Sequence, residues 1–199
     1  MFAQVLIGAS FALAGYSDYK ERAVSDLVWI PGAIGTVYAL AVSQNIWFSL
    51  TKIGLIGGIG LAFVLYGALG EADAIAMALI SADPNPLSPF PPLLAGAVVA
   101  MGAIGYQVAI GNAGKPKMIE ISRFVREKKW IPKALVIEGV RTEVDPDVNV
   151  AREDAEAKQR PGAMVEVSYG VPTVSYLAVG YVGYLVYLLV SYPGVLALA

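Results

Sequence analysis

The charged pair Glu71 and Asp73 stands between two apolar segments of unequal length, and that inequality constrains the fold more than any other feature. Before the pair, residues 53–69 carry no charged side chain. After it, residues 74–82 form a short apolar run that ends at Asp83-Pro84-Asn85-Pro86-Leu87-Ser88-Pro89-Phe90-Pro91-Pro92, which a helix cannot cross. A helix that spans a bilayer needs about 20 residues, whereas nine or ten rise about 15 Å, near half the hydrocarbon thickness. The spacing predicts a helix that starts inside a membrane, with Asp73 below the surface. Non-helical backbone at that depth is tolerated only where it is buried in protein or lines a watery cavity. The short helix therefore predicts a wet pocket at Asp73.

A second carboxylate stands in the same situation. Asp18 closes the first apolar run, in Gly15-Tyr16-Ser17-Asp18-Tyr19-Lys20-Glu21-Arg22. A carboxylate at membrane depth is costly unless protonated, paired or wetted, which makes each aspartate a functional hypothesis. Charged residues make up 15% of the chain against roughly 25% in soluble domains, so the class is polytopic membrane protein. The chain has neither Cys nor His. That excludes disulfides, thiolate or imidazole metal sites, and nucleophilic catalysis of the Ser-His or Cys-His kind. Carboxylates, Lys or Tyr must carry any chemistry; no cofactor and no metal is implied.

Six spans are expected, at about 2–17, 27–42, 53–69, the short 74–82, 93–110 and 171–190. No basic residue precedes the first run, which reads as a span rather than a cleaved leader. Residues 44–51 read as a polar turn with Trp47 and Phe48 as interface anchors, and Lys52 snorkels at its edge. Gly54, Gly57, Gly58 and Gly60 crowd the third span, with Gly54 and Gly58 as a small-xxx-small packing pair. Tyr169, Tyr176, Tyr184 and Tyr187 read as a packing and interface stripe on one face of the last span.

Residues 111–163 form a polar insertion between membrane segments 1–110 and 164–199. Residues 134–144 and 163–169 alternate like strands, 119–129 suit a short helix or another strand, and 145–160 a loop or frayed helix. The fold class is an all-α polytopic membrane protein, six transmembrane helices with a small β-containing cytoplasmic insertion. With six spans, Asp18, Asp73 and the insertion share a side with thirteen of the fourteen Lys and Arg, Lys52 alone lying opposite. The positive-inside rule makes that side cytoplasmic. Basic residues of the insertion are interleaved with Glu120, Glu127 and Glu138, which favours contact with the lipid bilayer over nucleic acid.

Two carboxylates that share one proton can activate water without histidine. The plainer alternative makes Asp18 a helix terminator and Asp73 an N-cap. Lys20 and Arg22 serve as positive-inside anchors or hold the segment at Asp18. Glu71, beside Asp73, could attract a basic substrate.

These two segments resemble the archaeal preflagellin/prepilin peptidases, membrane aspartyl proteases of the GxGD type. In that family one aspartate closes the first span ahead of a basic stretch, as Asp18-Tyr19-Lys20-Glu21-Arg22 does. The other lies in a Gly-x-Gly-Asp motif opening the fourth span, matched by Gly70-Glu71-Ala72-Asp73 with Ala72 in place of the second glycine. Gly170-Val171-Pro172-Thr173 is similar to the Gly-x-Pro opening of the last span. The likeness covers the six-span layout and the insertion, without the CxxC-bearing domain of many bacterial members. It implies catalytic Asp18 and Asp73, with Gly70, Glu71, Lys20 and Arg22 supporting the site or binding substrate. It also implies a multi-pass protein of the cytoplasmic membrane whose site faces the cytoplasm. The substrate would be a preflagellin or type IV prepilin-like protein, cut behind its short basic leader. A different class, a proton- or ion-coupled transporter using Asp18 and Asp73 as a relay, fits the same carboxylates.

Overall fold

The computed structural model describes residues 1–67, 69–111, 113, 115–145, 148–160 and 162–191. Ala68 of the third expected span and 192–199 of the last segment lie outside the described residues. Helices follow the apolar runs, with shifted ends. Helix α1 is Phe2–Glu21, so Asp18 sits inside its last turn rather than beyond it. A 3-10 turn at Asp26–Trp29 leads into α2, Ile30–Ala41, where Pro31 fits because a first-turn residue needs no N–H partner. Helix α3 is Ile46–Leu65, starting seven residues before the expected span, since Asn45 Oδ1 accepts from Phe48 N at 3.0 Å and caps it. Helix α4 is Glu71–Ser81, α5 is Phe90–Ala109 and α8 is Thr173–Ser191. Helix α5 starts within the proline run, placing Pro91 and Pro92 in a first turn that tolerates them.

Three of these helices, α3, α5 and α8, are long and apolar enough to cross a membrane. Helix α1 is as long but more polar, while α2 and α4 are shorter. The chain divides into two compact units, one built from Met1–Tyr19, Ala23–Met101 and the chain from Pro172, the other from Lys20–Arg22 and Gly102–Val171.

The first unit packs Ile7, Phe11, Trp29, Leu79, Ile80 and Tyr181 into a buried cluster. Where helices lie in lipid, burial from water contributes little and close approach at small residues matters more. Helix α4 lies on α3 at glycines: a Cβ on Gly57 would stand 3.3 Å from Ala78 Cβ, and one on Gly60 3.1 Å from Ala74 Cα. Gly54 and Gly58, the expected pair, have nothing within 4 Å. The packing face is one residue-step round the helix from the one anticipated. The tyrosine stripe is also redistributed: Tyr184 is buried, Tyr187 is exposed, and Tyr181 is the one fully inside.

The second unit is a four-stranded antiparallel sheet with two helices. Its strands are β1 (Lys117–Glu120), β2 (Trp130–Ile137), β3 (Val140–Glu143) and β4 (Met164–Tyr169), in the order β1-β4-β2-β3. Residues 134–144, expected as one alternating strand, form most of the β2–β3 hairpin instead. Glu138 (φ 52°) and Gly139 (φ 81°) make its two-residue turn. Residues 119–129 contain both candidates, the end of β1 and then α6 (Ile121–Arg126), and α7 is Val148–Ala157. Ile121, Phe124, Trp130, Val165 and Val167 form the core between sheet and helices.

Candidate active site

Asp18 is buried, at 8% exposure, because α8 covers it. Ser175, in the first turn of α8, donates its backbone N–H to Asp18 Oδ2 at 2.9 Å, and its hydroxyl lies 3.1 Å from the same oxygen. That hydroxyl is also 2.8 Å from the Gly15 carbonyl, so one proton serves two acceptors. The helix must approach closely for this. A Cβ on Gly15 would stand 2.6 Å from Ala178 Cβ, so no larger residue fits without moving α8. The unpaired N–H groups and dipole of a helix N-terminus favour an anion, and Asp18 supplies it.

Asp73 is the third residue of α4, not its N-cap. Gly70 holds the cap position, and Asp73 Oδ2 reaches back to accept from Gly70 N at 3.0 Å. This carboxylate half of a capping box explains why an acid suits the position locally, and it leaves the other oxygen for other use. Asp73 is half-buried and lies close enough to Asp18 to feel its charge. Both aspartates, 55 positions apart in sequence, belong to the first unit. Gly70 and Glu71 are exposed beside them. A Cβ on Gly70 would meet only Asp73 Oδ2, at an ordinary 3.6 Å, so the glycine is not demanded by crowding here. A cleft of about 580 Å³ opens between α1 and α8, with Gly15, Ser175, Tyr16 and Tyr19 among its walls.

Lys20 and Arg22 belong to the second unit. Lys20 is exposed. Arg22, at φ 57°, ends α1 in the left-handed conformation usual just past a helix, at some cost for a residue with a Cβ. Its guanidinium lies 5.7 Å from the Tyr169 ring centre and 3.5 Å from the Tyr169 hydroxyl. Arg22 is thus packed on Tyr169.

Two functional candidates escaped the sequence reading. Ser175 is one; its signal was a polar residue in the first turn after Pro172-Thr173. Asp83 is the other, the single charged residue between Asp73 and Lys115. It is 1% exposed. Its oxygens accept from Asn85 N at 2.8 Å, Gln4 Nε2 at 3.3 Å and the Tyr181 hydroxyl at 2.7 Å. Lys52, inside α3, donates to the Asp83 and Asn85 carbonyls at 2.9 and 3.1 Å, tying down the proline-rich loop. Among the described residues, no group of three or more acidic side chains is placed to hold a metal ion. The chain matches no family model, no curated protein and no solved structure.

Proposed function

We propose that this chain is a multi-pass membrane aspartyl endopeptidase that removes the short basic leader of preflagellin or type IV prepilin-like proteins. What supports this reading is a pair of aspartates in one helical unit, Asp18 seated under α8 and Asp73 at the start of a helix too short to span a bilayer. Asp18 accepts from the Ser175 N–H, and in this mechanism it is the ionised partner that takes the proton from water. The water oxygen attacks the scissile carbonyl. Protonated Asp73 gives its proton to the carbonyl oxygen; on collapse of the tetrahedral diol the C–N bond breaks, the leaving amine takes the proton held by Asp18, and a diol hydroxyl returns its proton to Asp73.

The six-span arrangement belongs to the same proposal. Helices α3, α5 and α8 cross fully, α1 and α2 complete the bundle, and α4 spans the inner half before the loop at Asp83. With the cationic insertion inside, the site faces the cytoplasm. Glu71 is exposed beside Asp73 and suits the basic residues ahead of the cleavage point. A substrate segment would lie in the cleft between α1 and α8, and α1 and α4 close together upon it.

The test is cleavage in membranes by wild type, Asp18→Asn and Asp73→Asn. Asn keeps size and polarity but cannot share a proton, so each variant should insert normally and fail to cut. Cutting at the wild-type rate by both would end the peptidase reading. A second reading, an ion-coupled transporter, is favoured by buried Asp83. Proton flux into vesicles that disappears in Asp18→Asn and Asp73→Asn would establish it.

A further inference from the structure

In the second unit β3 lies at the edge of the sheet, its outer side unpaired among the described residues. All four of its residues are exposed, Val140 at 65%. An open strand edge is a template for pairing with another chain. The turn decides which backbone groups this edge offers. Glu138-Gly139 is a two-residue turn, so Ile137 and Val140 close it as a hydrogen-bonded pair, and such pairs alternate along an antiparallel ladder. Val140 and Thr142 therefore bond to β2, where Thr142 stands opposite Leu135. Arg141 and Glu143 turn their N–H and C=O groups outward, and their side chains share one face of the sheet. On that face Arg141 is held 2.8 Å from Glu166, while Glu143 has no ionic partner among the described residues.

Charged side chains on an edge commonly repel a second strand. The order Arg141-Thr142-Glu143 does the opposite toward its own reverse. An antiparallel copy of β3 that set Arg141 opposite Arg141, or Glu143 opposite Glu143, would bring like charges together. The register centred on Thr142 instead sets Arg141 of each copy opposite Glu143 of the other. Both are hydrogen-bonded pairs, each exchanging two main-chain bonds, with opposite charges side by side. We propose that two copies of this chain associate through β3 in the register centred on Thr142, joining their sheets across a two-fold axis. The contact is isologous, so it closes at the dimer. It uses neither Asp18 nor Asp73, so dimer formation and leader cleavage can fail independently.

The chain has no cysteine, so a single introduced thiol reads the register. Thr142 would face its own copy at a non-hydrogen-bonded position, about 4.5 Å between Cα atoms and within disulfide reach. Val140 would lie four residues out of step with its own copy, about 14 Å along the strand. Full-length Thr142→Cys and Val140→Cys proteins, purified in detergent and oxidised with copper phenanthroline, are compared by non-reducing electrophoresis. Thr142→Cys should form covalent dimer at least roughly tenfold faster. Adding Glu143→Arg to Thr142→Cys sets arginines opposite each other, and adding Arg141→Glu sets glutamates opposite each other. Each should slow cross-linking roughly tenfold, and mixing the two proteins should restore it, since the mixed pair is complementary. Circular dichroism verifies that each variant is folded, and the rescue on mixing separates lost charge pairing from damaged structure. Equal rates at the two cysteine positions, or a folded Glu143→Arg protein that cross-links undiminished, would overturn the dimer. A mixture as slow as its components would overturn the register.

Discussion

The first unit holds two stations of buried acid, and their difference lies in what remains unbonded. At Asp83 both carboxylate oxygens are engaged by Asn85, Gln4 and Tyr181, and the residue is almost sealed. At Asp73 the one bond from Gly70 engages one oxygen and the side chain is half open. A carboxylate with satisfied valence and no access holds structure together; one with free valence and access can handle a proton. In the proposed reading the same residue type, within one helix length, thus takes opposite roles according to its neighbours.

The largest test of this contrast is to remove the charge at each station. Asp18→Asn and Asp73→Asn should lower leader cleavage by about 10²- to 10⁴-fold, the usual worth of a positioned acid or base. Asp83→Asn should leave the rate per folded molecule within a few-fold of wild type. Equal losses at all three positions would erase the distinction between structural and catalytic acids.

Stability should show the reverse ranking. Asp83→Leu leaves Asn85 N–H, Gln4 and the Tyr181 hydroxyl without their acceptor in a buried setting, at a cost of about 3 kcal/mol. Tyr181→Phe removes one bond of the set and should cost about 0.6–1.7 kcal/mol, the range for hydrogen bonds between membrane helices. Unfolding in detergent measures both. Asp73→Asn should move the same transition much less, because Asn can still accept from Gly70.

Ser175 sharpens the comparison from the catalytic side. Ser175→Ala keeps the backbone N–H at Asp18 and removes the hydroxyl, so kcat should fall roughly tenfold while KM changes little. Ser175→Thr, which restores a hydroxyl, should recover most of the rate. A rise in KM alone would make Ser175 a wall of the cleft rather than a positioning residue for Asp18.

How much of this was legible depends on how far apart in sequence the partners are. The shortness of α4 is written in consecutive residues, an apolar run stopped by prolines, and could be read directly. Asp18 and Asp73 were found because charge in an apolar context is local information. Asp83 looked like loop punctuation because what buries it lies 79 and 98 positions away, at Gln4 and Tyr181. Ser175 lies 157 positions from Asp18, and no nearby pattern announces that contact. The β2–β3 hairpin was missed for a different reason. Glu138 is not among the residues that favour positive φ, so only Gly139 marked the turn, and the alternation continued across it. The packing glycines were visible as a set, but only the position of α4 selects Gly57 and Gly60 from it.

The smallest effect falls in the second unit, where an acid is engaged yet partly exposed. Glu127 accepts from the Trp130 indole at 2.9 Å and lies 3.2 Å from Lys129 and 3.0 Å from Arg123. The Trp130 bond first, then the two cations, hold its carboxyl down, from the ordinary 4.5 to about 2. A depressed carboxyl stabilises the folded unit above its unfolded value and loses that contribution as pH falls toward its folded value. The loss should therefore run between about pH 4.5 and about 2. Solvent around an exposed pair screens the charges, so the ion pairs themselves contribute little. Glu127→Gln should flatten the acid limb of unfolding slightly and leave stability near pH 7 almost unchanged. Near-ultraviolet circular dichroism at Trp130 against pH reads this directly. A large loss at neutral pH would instead mean that Glu127 is needed to seat Trp130 in the sheet core, making it a structural acid like Asp83 despite its exposure.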